Sequence, residues 1–169
     1  MTSQRAAQVL SDGFGRVRES LHQVVVGLDA DSLNWRPAPD ANSIAWLGWH
    51  LARVQDDHTA GISDGQQVWH QGWSDRFALP IDPLSIGFGQ TADEARSVVV
   101  DSPDLLTGYY DAVCERTDEV LSSLSDSDFD RVVDERWDPP VTLAVRVVSM
   151  LNDVTQHIGQ AAYLKGILP

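Results

Sequence analysis

Apolar residues recur every three or four positions along the first part of the chain, from about Ser3 to Leu28. This spacing gathers them on one stripe of a long helix, with the intervening polar residues on the other faces. The stripe consists of Val9, Leu10, Phe14, Val17, Leu21, Val24, Val25 and Leu28.

Capping signals predict where the next helices begin. Ser43 is a suitable N-cap for a second helix from about Ile44 to Gly61, because its hydroxyl can accept from an unpaired N–H of the first turn. Thr91-Ala92-Asp93-Glu94 is a capping-box pattern, and we expect it to begin a helical stretch through about Val100.

Two further signals predict the remaining helices. Ser102 as N-cap, with Pro103 at the first helical position, indicates that a third long helix continues to about Leu124. Thr142 is placed to cap a last long helix with its own apolar stripe. Between them, Arg131-Val132-Val133 is too short a run to predict a strand by itself.

These segments predict an all-α protein: a four-helix bundle forming one domain over residues 1–169. A long loop separates the second and third helices, from Gly61 to Gln90, and it carries Trp69, Trp73 and Phe77 among several glycines and prolines. Loops of this length in a compact domain are usually functional or disordered, and the aromatic residues favour an ordered loop.

Composition excludes several classes of function. The 25 acidic residues against 12 basic ones give a formal net charge of −13, which disfavours nucleic acid and anionic membrane surfaces as partners. The single cysteine, Cys114, excludes an internal disulfide, and a packing role is expected for it. With no apolar signal region and no membrane-spanning run, we expect a cytoplasmic protein.

The most informative polar residues are Asp153 and His157, four positions apart in the last predicted helix. A helix places such residues one turn apart on the same face, although this spacing more often yields a surface hydrogen bond than a metal site. His50 lies in the second predicted helix, between Trp49 and Leu51. If the two helices pack together, two histidines and one carboxylate offer three ligands to a metal with a free position, as in catalytic zinc sites.

Three stretches resemble a known family, the DinB/YfiT-like metalloprotein superfamily. They are Asn34-Trp35-Arg36-Pro37, the run from Ser43 to His58, and Asp153-Val154-Thr155-Gln156-His157-Ile158-Gly159-Gln160. The resemblance is greatest to the actinobacterial branch that contains mycothiol S-transferases and the metal-binding domain of mycothiol-dependent maleylpyruvate isomerase. It implies an up-down-down-up four-helix bundle and a divalent metal, commonly zinc.

The resemblance assigns the metal ligands to His50, Asp153 and His157. Aspartate departs from the family at its position, where many members have histidine and the mycothiol branch has glutamate. The implied activity is the transfer of a low-molecular-weight thiol such as mycothiol to small electrophiles. Relatives are often homodimers, and the patterned helix exteriors would permit the same assembly here.

Two other functions are compatible with the same ligands. A metal with a free position can activate water, which would make the protein a small metal-dependent hydrolase. The helical domain could also hold a metal or an apolar ligand without turnover, as a binding module.

Further residues are candidates for supporting roles. Asp57 and His58 lie about two turns from His50, and they are expected either to form a helix-end network or to contact the ligands or the substrate. Trp49, Trp69 and Trp73 are equally compatible with a substrate cleft and with core packing. Core packing is the prediction for three other tryptophans, Trp35, Trp46 and Trp137.

Overall fold

In a computed structural model, which describes residues 4–63 and 65–169, the protein is mostly helical, as predicted. The four longest helices of the described chain are α1 (Arg5–Val25), α3 (Ile44–Ser63), α6 (Pro103–Ser122) and α7 (Leu143–Gly166). Short helices α2 (Ala30–Asn34), α4 (Trp73–Phe77) and α5 (Ala92–Arg96) lie in the connections. The start predicted for the first helix, Ser3, falls outside the described residues.

The predicted capping residues begin their helices. The Ser43 hydroxyl accepts from the N–H of Trp46 at 3.1 Å, and the Thr142 hydroxyl accepts from the N–H of Val145 at 3.4 Å. Ser102 caps α6 with proline at its start, so each of these long helices begins where a side chain satisfies an otherwise unpaired N–H group.

The long helices pack in four adjacent pairs. Both α1 and α3 contact α6 and α7, and the contact between α3 and α7 is the most extensive. Helix α3 is buried along almost its whole length, because loops cover the face that the other helices leave open. This explains why polar residues such as Arg53, Gln55 and Asp56 are buried on it.

The capping box of Thr91 and Glu94 forms as predicted, but its helix is shorter than expected. Helix α5 ends at Arg96 rather than near Val100. The side chain of Asn34 holds Val100 outside a helix, since its amide donates to the Val100 carbonyl at 2.8 Å and its oxygen accepts from the Val100 N–H at 3.0 Å.

A small antiparallel hairpin precedes α7, formed by β1 (Val132–Asp134) and β2 (Val141–Thr142). Strand β1 includes Val132 and Val133 of the run Arg131-Val132-Val133, which was too short to predict a strand by itself. The prediction that Trp137 packs in the core was wrong, because Trp137 lies in the exposed turn of this hairpin with 65% of its surface accessible.

The segment predicted as a long aromatic loop contains a 3₁₀ turn, Val68–His70, followed by α4. Trp69 is buried there against Phe77 and Tyr109, with ring centroids 5.3 and 5.2 Å away. Of the helices in the described chain, none combines the length and the apolar character needed to cross a bilayer.

A buried carboxylate fastens this segment to α3. Asp56 accepts from the backbone N–H groups of Val68 and Trp69, each at 2.8 Å, and from the Tyr109 hydroxyl at 2.7 Å. Burial raises the pKa of Asp56 even though these donors and the Arg53 charge oppose the shift. The 3₁₀ turn Val68–His70 therefore takes its position from a side chain of α3.

We expect Asp56→Ala to lower the free energy of unfolding by about 3 kcal/mol, because it leaves two backbone donors, the Tyr109 hydroxyl and the Arg53 charge without their acceptor. Urea unfolding followed by circular dichroism measures this loss. Asp12→Ala on the exposed face of α1 is the control and should leave the stability nearly unchanged. Equal stabilities of the two variants would contradict the anchoring role of Asp56.

Candidate metal centre

The packing of α3 against α7 brings His50, Asp153 and His157 together. One potential ligand atom from each residue lies within 4.8 Å of the others. The rings of His50 and His157 are nearly perpendicular, with centroids 4.6 Å apart. Donors around one tetrahedral zinc ion are about 3.4 Å apart, so small side-chain movements would complete such a site.

Hydrogen bonds determine which nitrogen each imidazole can offer. Nδ1 of His50 lies 2.5 Å from the Ile86 carbonyl, and Nδ1 of His157 lies 2.8 Å from the carbonyl of Asp153. A carbonyl can only accept, so both rings carry their proton on Nδ1. Nε2 is then left with a free electron pair on each ring, as in metal-binding histidines that a carbonyl orients.

The carboxylate of Asp153 supplies the third donor. Its Oδ1 is buried and accepts no hydrogen bond within the described part of the chain, although His157 Nδ1 lies 3.2 Å away. A buried carboxylate oxygen without a hydrogen bond is costly, and a bound cation would satisfy it. The residues present therefore fit a divalent metal.

The charges of His50 and Asp153 are suited to a cation. Burial lowers the pKa of His50, so this imidazole is neutral near pH 7. Burial alone would raise the pKa of Asp153, but the neighbouring His157, His50 and His58 together hold it below its ordinary value. At neutral pH the centre thus offers an ionised carboxylate beside a neutral imidazole. Burial alone would lower the pKa of His157, but the hydrogen bonds and charge of Asp153 raise it above its ordinary value, so a cation competes with a proton at this ring.

Trp46 and Gly87 enclose His50. The Trp46 ring stacks on the His50 ring with centroids 4.5 Å apart, and its centroid lies 6.2 Å from that of His157. Gly87 adopts a φ of +93°, and a Cβ there would lie 2.7 Å from His50 Nδ1. Only glycine allows the backbone to approach the ligand this closely.

Comparison with known proteins identifies the family. A sequence profile described as the DinB superfamily matches residues 14–161. The chain belongs to the DinB superfamily. It is also similar to a conserved protein from Enterococcus faecalis of known crystal structure, at 32% identity and a TM-score of 0.88, with 94% of each chain covered. None of the curated protein sequences matches.

Members of the DinB superfamily often bind a metal, which agrees with the donor set found here. The matches identify the superfamily and a structural relative. The mycothiol branch stays a prediction.

Arg53 is a residue of this DinB site that the sequence did not suggest. It has no exposed surface, and its Nε donates to the Ser85 carbonyl at 3.2 Å, one residue before the carbonyl that orients His50. The same guanidinium lies 3.8 Å from Asp56 and donates to Gln67 at 2.7 Å. The signal for this role in the sequence was an arginine about one turn after His50, on a helix with few charged residues.

The other predicted site residues lie around the centre rather than in it. Asp57 accepts from Gln67 at 2.8 Å, and its second oxygen is 3.6 Å from His58 Nδ1. Burial and the Arg146 charge lower the pKa of His58. Neither residue belongs to the ligand group.

The three candidate substrate-binding tryptophans are mostly core residues. Trp49 is fully buried on α3, and Trp69 is 2% exposed and packs against Phe77 and Tyr109, so neither presents a wall to a substrate. Trp73 is partly buried, packs against Tyr109 and lies under the Arg76 guanidinium at 4.3 Å. Trp46, predicted as a core residue, is the tryptophan that contacts a ligand ring.

Gly87→Ala should weaken zinc binding by about tenfold or more, because the added methyl group displaces His50 and its orienting carbonyl. Gly89→Ala is the matched control, since Gly89 also has a positive φ of +73° but no atom within 4 Å of the added carbon. Competition against a chromogenic zinc chelator gives both affinities. Equal affinities would show that the approach of Gly87 does not position His50.

Proposed function

We propose that His50, Asp153 and His157 hold a divalent cation, zinc by the family resemblance, and that the protein transfers a low-molecular-weight thiol, mycothiol or a relative, to small electrophiles. The observation that carries the proposal is the convergence of three donors, one of them the buried oxygen of Asp153 that accepts no hydrogen bond within the described residues. Three protein donors leave a coordination position for an incoming molecule.

The chain's own thiol is not suited to act as the nucleophile. Cys114 is buried in α6, and burial raises the pKa of its thiol to about 12. A thiol with this pKa is almost wholly protonated near pH 7, and thiolate is the reactive form. The attacking sulfur must therefore come from a second molecule.

A divalent cation, when bound, would stabilise the thiolate form of an external thiol near neutral pH. The chain's residues supply the setting for this chemistry. Ile86 fixes the ring of His50, the Asp153 carbonyl fixes the ring of His157, and Trp46 covers one face of His50.

The reaction is a substitution. The thiol loses its proton to solvent, its sulfur donates an electron pair to form a carbon–sulfur bond, and the leaving group departs with the electron pair of the broken bond. With a chlorinated electrophile the products are a thioether, a chloride ion and the released proton. No redox partner is needed.

The test is conjugation of mycothiol to monochlorobimane by zinc-loaded protein, followed by fluorescence. Asp153→Ala should lower zinc affinity about as much as His157→Ala, by about 100-fold or more, because each leaves two protein donors. Both variants should lose conjugation at zinc concentrations that saturate the wild-type protein. Asp118→Ala, on the exposed surface of α6, is the control and should retain both properties.

Two results would contradict this proposal in different ways. Full zinc affinity in both ligand variants would refute the ligand set. Normal zinc binding without conjugation of any low-molecular-weight thiol would refute the transferase activity, and ester or amide hydrolysis by the same protein would then identify a hydrolase.

A further inference from the structure

A cavity of about 360 Å³ lies where the end of α3 meets the start of α7 and the hairpin. Ile62 and Val133 form its apolar lining, and the polar lining comes from Asp57, His58, Asp134, Arg136 and Arg146. It contains none of the three metal ligands. Its arginines are two of only 12 lysine and arginine residues in a chain with a net charge of −13.

A single buried carboxylate holds the two guanidinium groups side by side. Arg136 donates to both oxygens of Asp134 at 2.9 Å, and Nη2 of Arg146 donates to Oδ2 at 2.9 Å. The side chain of Asp134 is only 5% exposed, whereas those of Arg136 and Arg146 are 85% and 24% exposed. One negative charge faces two positive charges, and a guanidinium has five N–H donors, so both arginines retain donors beyond those bonded to Asp134.

The cavity lies along the same helix interface as the metal centre. Arg146 precedes Asp153 by seven residues on α7, which corresponds to two turns of the same face and about 10 Å along the axis. His58 of α3 also lines the cavity. A small molecule bound at Arg146 would have to extend about two helical turns along this interface to reach the metal ligands.

We propose that this cavity binds the carboxylate of the electrophilic substrate, with Arg146 and Arg136 as its donors. Guanidinium groups bind carboxylates through paired, charge-assisted hydrogen bonds, which gives them both affinity and orientation. That the ligand is a substrate rests on the proposed transferase function. The binding site itself does not depend on that function.

A second carboxylate in the cavity lining narrows the ligand class further. Asp57 is an acceptor there, with one oxygen bonded to Gln67 and the other near His58. Its negative charge disfavours a second anionic group on the ligand and favours a neutral or donor group. The expected ligand is thus a monocarboxylate whose reactive carbon lies away from the carboxylate.

The experiment compares two aryl electrophiles that differ in this charge, 4-chloro-3-nitrobenzoate and its neutral amide, 4-chloro-3-nitrobenzamide. Calorimetry with zinc-loaded protein and no thiol measures binding alone. The wild-type protein should bind the benzoate about tenfold or more tightly than the amide. Arg146→Gln and Arg136→Gln should each reduce this preference, and Arg146→Lys should retain part of it.

Arg16→Gln is the matched control, because Arg16 also pairs with an aspartate but lies on the exposed face of α1. It should keep the wild-type preference for the benzoate. Arg136→Gln also tests whether misfolding explains a lost preference for the benzoate. The Arg136 side chain is mostly exposed, so this variant should fold normally, and urea unfolding can verify its stability. Equal binding of benzoate and amide by the wild-type protein would overturn the proposal, and so would an unchanged preference in both glutamine variants.

Conjugation with mycothiol then separates this inference from the proposed function. Arginine-dependent benzoate binding without product would support the subsite and refute the transferase. Conjugation of monochlorobimane together with equal binding of benzoate and amide would support the transferase and refute the subsite.

Discussion

The contact between α3 and α7 is the constraint on which the rest of the structure depends. It brings a histidine of one helix beside an aspartate and a histidine of the other, and it is the most extensive helix contact in the fold. Apolar burial supplies the driving force, because Leu47, Leu51, Val147 and Val154 on these helices are almost completely buried. The polar centre is thus held by an apolar interface.

The loops over α3 convert this approximate placement into an oriented site. Arg53 holds the Ser85 carbonyl, and the adjacent Ile86 carbonyl sets the ring of His50. Trp46 donates to Gln90 at 2.8 Å, which fixes the far end of the same loop while its ring stacks on His50. The buried guanidinium of Arg53 therefore contributes to the orientation of a ligand nitrogen.

Local patterns in the sequence were sufficient to predict the long helices and their N-terminal caps. The Ser43, Ser102 and Thr142 caps depend on neighbouring residues only, and the ligand set followed from spacing combined with the family resemblance. Contacts between residues distant in sequence determined the features that these local patterns did not predict. Asn34 ends α5 early from a distance of 66 residues, Arg53 acquires its role through a loop more than 30 residues away, and Trp137 is exposed because a hairpin turn forms where no strand could be predicted.

The central claim, that two imidazoles and one carboxylate share a cation, is tested most directly by X-ray absorption at the zinc edge on stoichiometrically loaded protein. We expect nitrogen and oxygen neighbours at about 2.0 Å, with multiple scattering from two imidazole rings per zinc. His157→Ala should reduce this to one ring. A zinc ion surrounded only by oxygen, or by a single imidazole in the wild-type protein, would contradict the account.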